Sequence, residues 1–231
     1  MKGIQIRATD AWIGASFCVG ASCFMIGGAS ASVAAGWAVL GPKVLNGLFA
    51  IGAVFFTLAA WGQYLQAVNA QTGEPDSAAT ARRWRWFGIR AGSLGWWASA
   101  VQLAGTLMFN LMTIDALGPG LLGLRADLAV WSPDIIGSLC FLVASQLAVM
   151  DVCRHAWCWH WRSRPWWIAM VNLAGAIAFQ ISAVFGWYRP GAAASLGPWW
   201  DNYWTFIGAL CFLIGAVLLL PVPSRQPVAA P

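Results

Sequence analysis

Six long apolar stretches, separated by short polar or basic links, set the pattern of this chain: about Trp12 to Ala31, Val44 to Gln66, Gly95 to Met112, Ile135 to Val152, Trp167 to Trp187, and Tyr203 to Leu220. Each comes close to the ~20 residues that a helix needs to cross the hydrocarbon of a bilayer. The runs are continuous and do not alternate, which predicts helices and excludes the other spanning structure, a closed barrel of alternating strands. Gly41-Pro42-Lys43 links the first two stretches, and Pro221 and Pro223 end the last because proline cannot continue the hydrogen-bond ladder.

The stretches carry a common mark, a Gly followed four residues later by a Phe: Gly20/Phe24, Gly52/Phe56, Gly105/Phe109, Gly137/Phe141, Gly175/Phe179 and Gly208/Phe212. With 25 Gly and 12 Phe in 231 residues, about one such pair is expected by chance. One pair per stretch therefore reads as an internal repeat. The Gly residues within successive hairpins lie 32, 32 and 33 residues apart, and Trp12, Trp97 and Trp167 each stand eight before a Gly. One outward helix, a loop and one inward helix thus form a unit used three times, with ranges of about 8–69, 84–152 and 157–222. Units that begin and end on one side are parallel repeats, which predicts an axis along the membrane normal. At 1.5 Å per residue, the Gly lies about 12 Å from the interfacial Trp, near mid-bilayer. Small residues at that depth let helices approach closely, and the Phe one turn on shares their face. The twelve residues are therefore expected to pack helices together.

Composition agrees with the pattern. The chain is 60% hydrophobic and 9% charged, far from the balance of a soluble domain. Residues 1–231 are expected to form a single all-α membrane domain with a cytoplasmic interfacial segment over 70–93. Asp76 or Ser77 is placed to cap a short helix running into that segment. The net charge of +5 sits in clusters between apolar stretches, where it faces lipid rather than nucleic acid. With the N-terminus inside, Lys2, Arg7, Arg82, Arg83, Arg85, Arg90, Arg154, Arg162, Arg164 and Arg225 are cytoplasmic, and Lys43, Arg125 and Arg189 are outside. The positive-inside rule selects this orientation, with both termini in the cytoplasm. Arg82, Arg83, Arg85, Arg162 and Arg164, interleaved with Trp, are expected to meet lipid headgroups. Lys2 and Arg7 before an apolar run ending in Ala29-Ser30-Ala31 resemble a signal peptide. The run is long for one and carries the Gly/Phe mark, so it reads as a retained span.

Candidate chemistry is sparse. Gln102 and Asn172 stand three before a Gly, and Asn110 and Gln180 five after one; intramembrane amides line polar paths or, more commonly, bond across helices. Asp10, Asp134, Asp151 and Asp201 all fall at span ends, which counts against a proton relay. Cys153, His155, Cys158 and His160 are the one cluster with metal-ligand side chains. Four ligands within eight residues cannot all converge from a regular helix, so an interfacial belt is the simpler reading beside zinc or haem. The six cysteines suggest no disulfide framework, since four lie in apolar stretches and two in a basic segment. No phosphate loop, nucleophile elbow or Ser/His/Asp arrangement is present, and an enzyme or a bound cofactor is not expected.

Three stretches, Ile136-Gly-Ser-Leu-Cys-Phe-Leu-Val-Ala-Ser145, Asn172-Leu-Ala-Gly-Ala-Ile-Ala-Phe179 and Thr205-Phe-Ile-Gly-Ala-Leu-Cys-Phe-Leu-Ile-Gly215, resemble the YrhK-like group of bacterial multi-pass membrane proteins. The likeness covers the second and third hairpins and implies a bacterial inner-membrane protein. It supplies no catalytic residue. The expected function is a structural or accessory one, with helix faces that bind lipid or another membrane protein. The alternatives are a solute or ion pathway between hairpins and a metal or haem site.

Overall fold

The computed structural model describes residues 2–32, 40–70, 84–118, 125, 127–187 and 197–221. These residues form six long helices: α1 (Lys2–Ser32), α2 (Pro42–Asn69), α3 (Leu94–Asp115), α4 (Ser132–Cys153), α5 (Arg164–Phe185) and α6 (Gly197–Leu219). A π-helical turn, Asp127–Trp131, leads into α4, and there is no strand among the described residues. All six helices are long and apolar enough to cross a membrane. The chain is a multi-pass, all-helical membrane protein.

Local chemistry sets the helix ends. Pro42 opens α2 behind Gly41, where its missing N–H costs nothing. Ser93 and Ser163 cap α3 and α5, their hydroxyl oxygens accepting from the backbone N–H of Trp96 at 3.2 Å and Trp166 at 3.4 Å. At the end of α4, Arg154 adopts φ 58°, the left-handed conformation that stops a helix and reverses the chain. Most helices run a few residues beyond the expected spans because capping and interfacial residues continue the coil outside the hydrocarbon.

Each helix packs on the next in sequence, and α6 closes on α1, so the bundle is a ring. At the closing seam a Cβ added at Gly28 would stand 2.8 Å from both the Asn202 carbonyl oxygen and the Phe206 nitrogen. The backbones touch there because Gly28 has no side chain. The outer faces carry Val19, Ile26, Ile51, Val54, Leu107, Leu139, Ile177 and Val217, all exposed, as a lipid-facing surface requires. Exposed Trp12, Trp97, Trp157 and Trp167 ring one end, and Trp187 and Trp199 the other.

The expected short helix near Asp76 or Ser77 lies partly outside the described residues, and from residue 84 to 93 the chain is not helical. Side chains take over the backbone bonding there. The Asn69 amide donates to the Arg85 carbonyl at 2.8 Å and accepts from its N–H at 3.0 Å. Arg90 donates to the carbonyls of Ala67 and Ala70 at the end of α2. With these groups paired from outside, a local helix has little to gain.

Candidate functional site

The six marked glycines meet in pairs at the contacts between α1 and α2, α3 and α4, and α5 and α6. A Cβ on Gly20, Gly105 or Gly175 would stand 3.0 Å from the carbonyl oxygen of Gly52, Gly137 or Gly208 respectively. Each Phe covers the glycine of its partner helix. Cβ atoms added at Gly52 and Gly137 would strike Phe24 at 2.7 Å and Phe109 at 2.8 Å, and one at Gly20 would meet Phe56 at 3.3 Å. Cys23, Cys140 and Cys211 complete the contacts, their Cβ atoms 2.9 to 3.1 Å from those positions. They act as small apolar residues.

The six Phe rings then converge on the bundle axis. Phe24, Phe109 and Phe179, from α1, α3 and α5, touch one another with centroids 5.8 to 6.1 Å apart. Phe56, Phe141 and Phe212, from α2, α4 and α6, do the same at 5.6 to 6.2 Å. The two triangles join through Phe24–Phe56 at 5.4 Å and through Phe109–Phe141 and Phe179–Phe212 at 5.1 Å. Side chains on a helix lean toward its N-terminus, so rings on helices running in opposite directions lean toward each other. Phe56, Phe109 and Phe141 are at most 2% exposed. The centre of the bundle is therefore filled by aromatic carbon. In a bilayer, where lipid is as apolar as phenylalanine, such packing rather than water exclusion holds helices together.

The amides are not brought together. Asn110 donates to the Thr57 hydroxyl at 2.5 Å, linking α3 to α2, while its Oδ1 is buried without a partner. Asn172 lies against Gly215 of α6, and its carbonyl accepts from Ser145 of α4 at 3.4 Å. Gln180 keeps a buried, unpartnered Oε1, and Gln102 is half-buried on α3. No described hydrogen bond joins two of the four. A polar knot that the sequence pattern does not announce lies at the far end: Ser182 bonds the Asp201 carboxylate at 2.6 Å and the Thr205 hydroxyl at 2.7 Å, tying α5 to α6.

At the opposite end, two aromatic belts share one construction. Trp96 Nε1–H donates to the Gly88 carbonyl at 2.9 Å, and Trp166 Nε1–H to the Cys158 carbonyl at 3.0 Å. Trp97 donates to Ala91 at 3.0 Å, and Trp167 to Trp161 at 2.7 Å. Corresponding residues are 70 apart in each case. Of the arginines expected at headgroups, Arg82 and Arg83 lie outside the described residues. Arg85 is exposed, and Arg162 lies 4.7 Å over the Trp161 ring. Arg164 instead donates to the carbonyls of Leu218 and Leu220 and caps α6.

The cysteine expectation needs correction. Cys153 and Cys158 form a disulfide, with Cα atoms 5.4 Å apart. The left-handed turn at Arg154 folds the chain back so that a residue five positions on meets the last turn of α4. With both thiols in that bond, the Cys153, His155, Cys158 and His160 cluster retains two imidazoles. Among the described residues no group of three or more His, Cys, Asp or Glu is arranged to hold a metal.

No known protein family, no curated protein and no solved structure matches the chain. None of these comparisons supports the resemblance to the YrhK-like group.

Proposed function

We propose that this protein is a structural or accessory component of the bacterial plasma membrane. It is built from three parallel hairpins about a pseudo-threefold axis, with both termini cytoplasmic, and it binds lipid or a partner membrane protein through its outer helix faces. The observation that carries this reading is the closed centre: six Phe rings meet on the axis where a transporter of this architecture would place its path. Three features favour the threefold repeat. The Gly pairs recur in α1–α2, α3–α4 and α5–α6, the rings form two triangles each drawn from alternate helices, and the Trp and Ser bonds of the two belts recur after 70 residues. The orientation rests on the basic belts. The test is native mass spectrometry after mild detergent extraction. Bound lipid or a co-purifying membrane protein is expected, and a bare monomer that takes up neither would overturn the reading.

A second reading has one observation behind it. The unpaired amide oxygens of Asn110 and Gln180 occupy equivalent positions in the second and third hairpins. A solute pathway through them requires the Phe cluster to open. Reconstituted protein that conducts, and conducts more after Phe141→Ala, would favour it.

A further inference from the structure

The disulfide between Cys153 and Cys158 lies at the same end of the bundle as Arg85, Arg90, Arg162 and Arg164. If that end is cytoplasmic, as proposed above, the bond stands where cellular thiols keep ordinary cysteines reduced, and a disulfide there belongs to the transient, redox-active class. We propose that Cys153 and Cys158 form a reversible dithiol/disulfide site that exchanges with a small anionic thiol of the glutathione class. This inference rests on the cytoplasmic orientation for its biological setting; its chemistry stands on the geometry.

The first belt provides an internal control. Val68 and Cys153 each stand 16 residues after the marked glycine of their helix, and Gly88 and Cys158 are 70 residues apart. A Cβ at Gly88 would stand 3.0 Å from Val68 Cγ1, so the first belt makes by packing the contact that the second makes by a bond. Part of the surrounding bonding recurs, Trp96 to Gly88 as Trp166 to Cys158 and Ser93 capping Trp96 as Ser163 caps Trp166, while Tyr64, Asn69 and Arg90 also hold the first belt. Val68 and Gly88 are 20 positions apart and Cys153 and Cys158 five; with the Trp and Ser bonds retained, the shorter turn is expected to keep its fold when the disulfide is reduced.

The two sulfurs differ in access. Cys153 is 5% exposed, packed with Val149, Trp166, Ala169 and Leu173. Cys158 is half-buried on the exposed turn, its Sγ 3.5 Å from His160 Nδ1. Arg154 and Arg162 stand four residues before and after it and are exposed, Arg154 lying 3.6 Å from Asp151 and Arg162 over the Trp161 ring; the net positive charge of this turn favours an anionic thiol. In the oxidising direction, His160 accepts the Cys158 proton and the Cys158 thiolate attacks a small-molecule disulfide RSSR. This forms a mixed disulfide and releases RS⁻, which takes the proton from His160. Cys153 then attacks the Cys158 sulfur, the second RS⁻ leaves and takes the Cys153 proton, and the chain holds the disulfide. Two electrons and two protons pass from the two cysteines to RSSR, giving two RSH. Reduction is the reverse, with RS⁻ attacking the accessible Cys158 sulfur.

The test uses the full chain in nanodiscs with Cys18, Cys23, Cys140 and Cys211 replaced by Ala, which keeps the Cβ atoms that pack on the glycines. Protein equilibrated in glutathione buffers of graded redox ratio is acid-quenched, and its free thiols are counted by maleimide mass shift. The two thiols are expected to appear together within the glutathione range, and His160→Ala is expected to slow exchange by about tenfold. A bond that resists reduction across the whole range, or exchange unaffected by His160→Ala, overturns the proposal. A second variant, Cys153→Val with Cys158→Gly, copies the first belt. It should fold and melt as the parent does, and failure to fold would refute the claim that the bond is dispensable. A membrane-impermeant maleimide applied to intact cells separates the premise from the chemistry. Labelling of the reduced pair from outside would sink the orientation while leaving the buffer titration to judge the site.

Discussion

Gly208→Ala is the sharpest perturbation of the bundle centre. A methyl there would stand 2.7 Å from Phe179 Cε1 and 2.9 Å from the Gly175 carbonyl oxygen. The ring cannot swing aside, because Phe179 is held by Phe24, Phe109, Phe141 and Phe212 with centroids at 5.9, 5.8, 6.5 and 5.1 Å. The backbone oxygen yields only if α5 and α6 part. Overpacking of this kind costs about 1–3 kcal/mol, against a gain of about 0.8–1 kcal/mol for replacing Gly by Ala in a helix. A net loss of up to about 2 kcal/mol follows from these two terms. Gly47→Ala on α2 is the matched control, since nothing lies within 4 Å of its added Cβ; it should gain about 0.5–1 kcal/mol. Reversible unfolding in mixed micelles, followed by helical signal, measures both. Pairing Gly208→Ala with Phe179→Leu should recover part of the loss through a coupling of at least about 0.5 kcal/mol. Equal stability of Gly208→Ala and Gly47→Ala would refute the close-packed centre.

Other sites give independent checks. Phe141→Ala should destabilise by up to about 3–5 kcal/mol, the range for an aromatic core residue, in the same unfolding assay. Thr57→Val should cost about 0.6–1.7 kcal/mol by taking the acceptor from the Asn110 amide across α2–α3, and adding Asn110→Leu should recover the loss because no stranded amide remains. Arg164→Met removes the cap on the Leu218 and Leu220 carbonyls. It should weaken the end of α6 by about 0.3–1 kcal/mol, seen as faster amide exchange over its last turn.

The apolar stretches were enough to place all six helices, and the residues of the Gly/Phe mark are the ones found in contact at the centre. This was legible because span length and small-residue spacing are properties of one helix at a time. Closure of α6 on α1 was not, since no linear pattern states which glycine meets which helix; Gly28 became informative only with Phe206 beside it. The disulfide escaped because the turn at Arg154 depends on a left-handed residue with no marker in the sequence. Arg164 reads as a headgroup ligand by composition alone, yet the carbonyls at the end of α6 claim it first. The knot of Ser182, Asp201 and Thr205 joins residues from two helices, and each of them alone looks like an ordinary end-of-span polar residue.

Alternate helices bring their Phe rings into contact on one axis. Solid-state NMR of bilayer-embedded protein with ring-labelled phenylalanine, assigned by single Phe→Leu variants, measures it directly. Cross-peaks are expected between Phe24 and Phe179, at 5.9 Å, and between Phe56 and Phe212, at 6.1 Å, which join the first and last helix pairs. Cross-peaks confined to Phe24–Phe56, Phe109–Phe141 and Phe179–Phe212 would contradict the closed centre and leave three separate hairpins.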